Sequence, residues 1–289
     1  MGFIRTLDTV LICDSDVSPN LRRTVEQLID DGSIASAVYR RATESTNTDA
    51  VSAVQSGAVA DTMLPRLYLT DQQTAGRGRQ GNSWISDVGS LTFSLVVDFD
   101  LANPSAAFLS PAIGVAIARA IEFLCAPCRV ALKWPNDICL LWSPKPGSSP
   151  ELRKLGGVLI ETSVGGGRKP VIGIGLNLNR TPQLDAPVHT PPASLSDLTA
   201  RTVSRSDLLA AVVDSITDAL EELDVAVASL IDQYRSRCAL TGKDLSLIRN
   251  GELVTGFCTG ITDDGSLELV SGGHRRTFRS GEVQRVRSV

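Results

Sequence analysis

The sequence predicts an α+β protein: a mixed body over residues 1–238, then a small β-barrel over residues 239–289. Two observations carry this. Helix-like and strand-like stretches are interleaved up to Cys238. Beyond it come only short β-runs, "KDLSLIRNGELVTGFCTGITDDGSLELVSGGHRRTF", broken by the N-G, D-G and G-G pairs that favour tight hairpin turns. A third is composition. With 289 residues, 43% hydrophobic and 21% charged, the chain is long and apolar enough to bury a sizeable core.

Taken in order, residues 1–37 form a short N-terminal extension. It holds one helix-like piece, "PNLRRTVEQLIDDG", opened by a proline and closed by a glycine. "AVYRRA" reads as a strand, "TNTDAVSAVQSG" as a short helix ended by Gly57, and "RLYLT" and "SLTFSLVVDF" as strands. "PSAAFLSPAIGVAIARAIEFLC" has the spacing of a buried helix. "VALKWPNDICLLW" reads as one strand with polar punctuation in its middle, and "SPKPGSSPELR" as a surface loop. "KLGGVLIETSV" and "KPVIGIGLNLN" are strands joined by a hairpin-type "GGGR". "RSDLLAAVVDSITDALEELDVAVASLIDQYRSRC" is one long helical pattern or two, with Ser204 or Ser206 as N-cap.

Several function classes are excluded. Net charge is −4, and only one helix-like piece precedes the first β-segment, so neither a basic surface nor a helix-turn-helix DNA reader is expected. No apolar run reaches the ~18 residues of a membrane span, and "TVLIC" is too short for a signal-peptide core. The cytoplasm is the default location. Cys125 and Cys128 form a lone C-x-x-C without a second pair or neighbouring histidines, which suits reduced thiols at a helix end. His189 and His274 lie in polar, loop-like sequence, which argues against histidine-based nucleophilic catalysis and against a multi-histidine metal centre.

Four stretches carry chemistry, each with a plainer alternative. "TDQQTAGRGRQGNSW" follows a strand and matches neither nucleotide-binding glycine fingerprint. Its amides and Arg77 and Arg79 suit an anion; they also suit a surface turn. "KWPNDI" sets Lys133, Asn136 and Asp137 into an apolar run, which points to a lined cavity, an edge strand or a bulge. "RKLGGVLIE" puts Lys154 ahead of two glycines, beside a ligand or merely before a bulge. "GIGLNLN" puts Asn177 and Asn179 on one face of a glycine-cleared strand, which is either a site or an outward polar face.

Together with "STN" (Ser45–Asn47), these stretches resemble, in order and spacing, the biotin protein ligases, also called biotin–[acetyl-CoA-carboxylase] ligases. The resemblance covers about residues 38–287. It implies a mixed sheet flanked by helices, like that of class II aminoacyl-tRNA synthetases and biotin synthetases, with an SH3-like C-terminal barrel. It implies a cytoplasmic enzyme that forms biotinyl-5′-AMP from biotin and ATP with Mg2+. The biotin then passes to a lysine of a biotin carboxyl carrier domain of an acyl-CoA or pyruvate carboxylase, with no DNA or membrane as partner.

By the same resemblance, Ser45, Thr46, Asn47, Gln73, Gly76, Arg77 and Gly157 belong to the biotin site, with Arg79 and Lys154 touching it as well. Trp84, Lys133, Asn136 and Asn177 belong to the nucleotide site. Lys154, Arg79, Lys133 and Asp137 carry catalysis: Lys154 bridges the biotin carboxylate and the α-phosphate, Arg79 folds over the adenylate, Lys133 reaches phosphate, and Asp137 orients or deprotonates the acceptor amine. No residue is assigned to bind metal, because the ion rides on the phosphates. Many relatives carry a basic residue where this chain has Asn82, a departure that bears on loop ordering and nucleotide affinity. Two rival readings are a lipoate-type ligase and a non-catalytic biotin sensor.

Overall fold

A computed structural model describes residues 11–13, 17–143, 148–163, 169–184 and 188–287. The strands are β1 (Leu11–Cys13), β2 (Ser36–Thr43), β3 (Arg66–Gln73), β4 (Ser90–Val96), β5 (Val130–Lys133), β6 (Asp137–Trp142), β7 (Glu151–Thr162), β8 (Pro170–Asn177), β9 (Asp244–Arg249), β10 (Glu252–Ile261), β11 (Leu267–Ser271), β12 (His274–Phe278) and β13 (Glu282–Arg287). The helices are α1 (Pro19–Asp30), α2 (Thr46–Gln55), α3 (Leu109–Leu124), α4 (Leu195–Thr199), α5 (Arg205–Val225) and α6 (Val227–Arg237). The chain divides into two compact units. One comprises Met1–Asn103, Val158–Pro182 and Ser194–Asp214; the other comprises Pro104–Gly157, Gln183–Ala193 and Ser215–Val289.

In the first unit the strands run β1-β2-β3-β4-β8, followed by the second half of β7. β1, β2 and β3 are parallel, whereas β4 is antiparallel to both β3 and β8, so the sheet is mixed. The β4–β8 register sorts side chains by chemistry. Leu91, Phe93 and Leu95 face across to Leu176, Ile174 and Ile172 on one side, while Ser90, Thr92 and Ser94 oppose Asn177, Gly175 and Gly173 on the other. A strand alternates faces residue by residue, so this pair has one oily face and one small, polar face, all of it buried. α2 starts where Ser45 accepts from Thr48 N at 3.4 Å. Ser18 does the same for α1, whose first residue is Pro19.

The second unit pairs β5 with β6 and β6 with the first half of β7, all antiparallel. It also holds a five-stranded antiparallel sheet in the order β12-β11-β10-β9-β13. α3 is buried almost all round, from Leu109 to Ile121. Here one expectation is corrected: the segment Pro104–Leu124 is 21 residues long and apolar enough to cross a membrane by length and composition. Two thirds of its most apolar window is nonetheless buried in the protein, which makes it a core helix.

Two further expectations change, and one open alternative is decided. "VALKWPNDICLLW" is a hairpin, β5 and β6, because Pro135 lacks the N–H that a continuing strand needs and the chain turns over Trp134–Asn136. Residues 151–153 of the expected surface loop open β7. The long helical pattern is two helices, α5 capped by Ser204 (Asp207 N to Oγ, 3.3 Å) and α6 starting after Ala226. The whole "GGGR" connection, residues 165–168, lies outside the described residues, as does most of the N-terminal extension before Val17.

Candidate active site

β3 delivers Gln73 and the glycine-arginine loop. The loop is folded as a flap: Trp84 N donates to Gly76 O (2.8 Å), Gly78 N to Asn82 O (2.6 Å) and Asn82 N to Arg79 O (3.0 Å). Gln80 (φ 55°) and Gly81 (φ 80°) turn its tip in the left-handed region. Asn82 thus closes the turn through its backbone, a job that does not need a basic side chain. Thr74 and Ala75 donate to Thr43 and Glu44 and fix where the flap leaves the sheet. Gly76 has no alternative: a Cβ there would lie 2.3 Å from Trp84 O and 2.7 Å from Gln73 Nε2.

Beneath the flap is a cleft of about 710 Å³, lined by Ala75 to Ser83 and by Leu159 and Glu161 of β7. Arg77 pairs there with Glu161 at 2.5 Å. Ser45, Thr46 and Asn47 are buried at the start of α2, and Gln73 Oε1 accepts from Thr46 N (2.8 Å) and Thr46 Oγ1 (3.2 Å). Asn47 packs over Gly173 and the Trp84 indole over Gly175, where a Cβ would stand 2.2 Å from Asn47 Oδ1 and 2.4 Å from Trp84 Cε2. Trp84 Nε1 donates to Thr92 Oγ1 at 3.4 Å. Asn177 ends β8, opposite Ser90. Asn179 lies beyond the strand, bonded to the backbone of Val203, so it does not share the face of Asn177 as the sequence suggested.

The base of the flap is clamped by residues that sequence reasoning left without a role. Asp71 accepts from Tyr39 Oη (2.6 Å) and from Arg205, which also donates to Thr70 O (2.5 Å). Glu161 ends the stretch "RKLGGVLIE", and its partners Arg77 and Asn47 set it apart from an ordinary surface acid.

The second unit collects Lys133, Asn136, Asp137, Lys154 and Gly157. The β6–β7 register is decisive. Asp137 opposes Gly157 and Ile138 opposes Gly156, but Cys139 opposes Lys154, which leaves Leu155 as an extra residue. This bulge returns Lys154 to the face that carries Asp137. Lys154 Nζ then reaches Asp137 Oδ1 at 2.5 Å, and Lys133 Nζ lies 3.7 Å from Oδ2. Lys133 is only 7% exposed and also donates to Val283 O (3.3 Å), so a buried ammonium is matched by a carboxylate and a carbonyl. At Gly157 a Cβ would come within 3.2 Å of Asn136 O, which keeps the hairpin turn and β7 in close approach. Burial, reinforced by the negative charge of Asp137, holds the Cys139 thiol well above its ordinary range, so this cysteine is a packed group and not a nucleophile.

The profile of the biotin/lipoate A/B protein ligase family matches residues 39–179. A biotin–[acetyl-CoA-carboxylase] ligase of Paracoccus denitrificans is 30% identical over 248 residues, covering 83% of this chain and 97% of that protein. The chain belongs to the biotin protein ligase family. Among other ligases of the family, the bifunctional ligase/repressor BirA of Escherichia coli is 26% identical over 91% of this chain and 77% of its own. The fold agrees: the biotin protein ligase of Aquifex aeolicus, solved in complex with biotin and ATP, superposes with a TM-score of 0.70 at 23% identity, over 88% of this chain and 99% of that one.

Proposed function

We propose that this protein joins biotin to ATP, releasing pyrophosphate, and passes the biotinyl group from biotinyl-5′-AMP to a lysine of a biotin carboxyl carrier domain. The observation that carries this reading is the cleft: the glycine-rich flap bearing Arg77 and Arg79 lines it, so two cations border a space of about 710 Å³. In the first step a biotin carboxylate oxygen attacks the α-phosphorus and pyrophosphate leaves. Both reactants are anions, so positioning and charge neutralisation do most of the work. Arg77, Arg79, Lys133 and Lys154 are the cations we assign to it. Ser45, Thr46, Gln73 and Gly76 take the ureido end of biotin, with Gly157 beside the same ligand, and Trp84 and Asn177 take the nucleotide. In the second step the acceptor amine attacks the acyl carbon and AMP leaves. Asn136 belongs to the nucleotide site and, with Asp137, lies where that amine enters; the Asp137 carboxylate accepts its proton.

Asn47 fits the biotin site indirectly. Its amide is engaged by Ser94, Leu159 and Glu161, so it holds the pocket and does not reach into it. Magnesium fits as an ion carried on the nucleotide phosphates, where it would neutralise charge. The Asp137 carboxylate is committed to two lysines, and among the described residues no group of three or more His, Cys, Asp or Glu side chains is arranged for a metal. A cytoplasmic site of action belongs to the same reading.

The test is pyrophosphate release with ATP and magnesium, supplied with either biotin or lipoate, followed by mass spectrometry of a biotin carboxyl carrier domain. Biotin-dependent release and a biotinyl mass shift on the carrier are expected. Release driven by lipoate, or by neither acid, overturns the proposal.

A further inference from the structure

We propose that Glu161 is a positioning residue for the cleft: it seats Arg77 at the end of a hydrogen-bond circuit that runs from Gln73, the last residue of β3, to the flap. The inference rests on the ligase reading of the same cleft. Gln73, at the flap's base, accepts from the Thr46 backbone N–H at 2.8 Å. Ser94 Oγ stands 2.7 Å from Thr46 Oγ1 and 2.6 Å from Asn47 Oδ1. A carbonyl oxygen only accepts, so the Ser94 hydrogen goes to Asn47, and the single Thr46 hydroxyl hydrogen is shared between Ser94 Oγ and Gln73 Oε1. Asn47 then turns its nitrogen outward to Leu159 O (3.3 Å) and Glu161 Oε2 (2.9 Å), and that same Oε2 takes Arg77 Nη2 at 2.5 Å. Leu159 O and the Glu161 carboxylate both only accept, so the Asn47 amide has one orientation, nitrogen toward them and oxygen toward Ser94. Gly173 makes the circuit possible, because any side chain there would collide with Asn47 Oδ1.

The energetic logic follows from where the two ends sit. Arg77 is exposed, on a flap that also contains Gly76, Gly78 and Gly81, and ordering such a segment costs chain entropy. Glu161 is on β7, and Asn47, which anchors it, is 3% exposed. Tying the exposed end to the buried one offsets part of that entropy before ligand arrives, which is how preorganisation raises affinity. A guanidinium has five N–H donors in a planar fork, so the single bond to Glu161 Oε2 tethers one nitrogen and leaves the rest of the fork for an anionic ligand.

The experiment compares wild type, Glu161→Gln, Arg77→Met and the double variant in two readouts. One is the KM for biotin in pyrophosphate release. The other is the rate of tryptic cleavage after Arg79 in the ligand-free protein. Glu161→Gln keeps the size and an acceptor but removes the charge. It should raise the KM and the cleavage rate by roughly fivefold each, as expected for a half-exposed ion pair, and leave kcat within about twofold. In the Arg77→Met background it should add nothing to either. A lowered KM would make Glu161 a competitor of the ligand and overturn the proposal. So would an unchanged KM and cleavage rate, or an equal penalty with and without Arg77. If Glu161→Gln does not fold, Arg77→Met alone must still loosen the flap to trypsin. Should wild type release no pyrophosphate with biotin, the ligase reading falls while the tryptic arm still decides the role of Glu161.

Discussion

An alanine at position 175 would bring its Cβ within 2.4 Å of Cε2 and 2.6 Å of Cζ2 of Trp84, and a rigid indole cannot yield that distance without leaving its seat. Gly175→Ala should therefore cost about 1–3 kcal/mol of stability as an overpacking change. It should also raise the KM for ATP if Trp84 lines the nucleotide pocket; denaturant titration and steady-state kinetics measure the two effects. Gly114→Ala is the contrast. Its Cβ would meet Leu132 at 3.5 Å, ordinary contact, inside a helix that gains from alanine, so stability should hold or rise by up to about 1 kcal/mol. The glycines of "GIGLN" were legible in the sequence as cleared space. What was not legible is that the space is taken by Asn47 and Trp84 of the same chain, because nothing local to β8 says which distant side chain folds over it. Glu161 was hidden for a related reason: a lone acid near the end of a strand reads as an ordinary surface charge until its partners are known.

At the scale of elements, the informative features are interruptions of regular structure. The extra residue Leu155 in β7 sets which face Lys154 occupies, and the turn at Trp134–Asn136 brings Asp137 back beside Lys133. Sequence reasoning found the polar residues of "KWPND" but drew them on one strand, since the alternation of a bulged hairpin is not visible without its register. The β10–β11 turn was legible as a D-G signal. Its Trp134 connection, Nε1 to Gly265 O at 3.1 Å, was not. In that turn Asp264 accepts from Thr262 Oγ1 (2.5 Å), Ser266 N (3.2 Å) and Arg279 (3.0 Å), and these bonds, Thr262 foremost, hold its carboxyl down at about 2. A carboxyl depressed in the folded state stabilises it fully above the unfolded value near 3.8, and that contribution is lost as pH falls toward about 2. Asp264→Asn should destabilise the protein at pH 5–7 by about 1 kcal/mol, a modest figure because the group is largely solvated, and the two proteins should converge near pH 2. Urea midpoints across that range test it; a difference independent of pH would assign the turn's stability to shape alone.

On the scale of the whole molecule, the chain divides its chemistry between its compact units. The cleft, flap and Glu161 belong to one, and the Lys133–Asp137–Lys154 cluster belongs to the other, with β7 and α5 each running from one unit into the next. The change of sequence texture after Cys238 coincides with the start of the five-stranded sheet at Asp244, whereas compactness groups that sheet with α3, the KWPND hairpin and α6. Texture reports which secondary structure a segment adopts; it does not report what the segment packs against. The two half-reactions make different demands on Asp137. Adenylation needs cations, and on the proposed assignment Asp137 would serve it only by holding Lys154, which it pairs with at 2.5 Å. Transfer needs an amine stripped of its proton, and a positioned general base supplies about 10² or more of rate. Asp137→Asn keeps the shape and an acceptor oxygen but cannot take the proton. In single-turnover experiments, pyrophosphate release should therefore fall less than about tenfold, while biotin transfer from preformed biotinyl-5′-AMP to the carrier falls about 100-fold. Equal losses in both steps would instead make Asp137 a tether for Lys154 and leave deprotonation of the acceptor to another group.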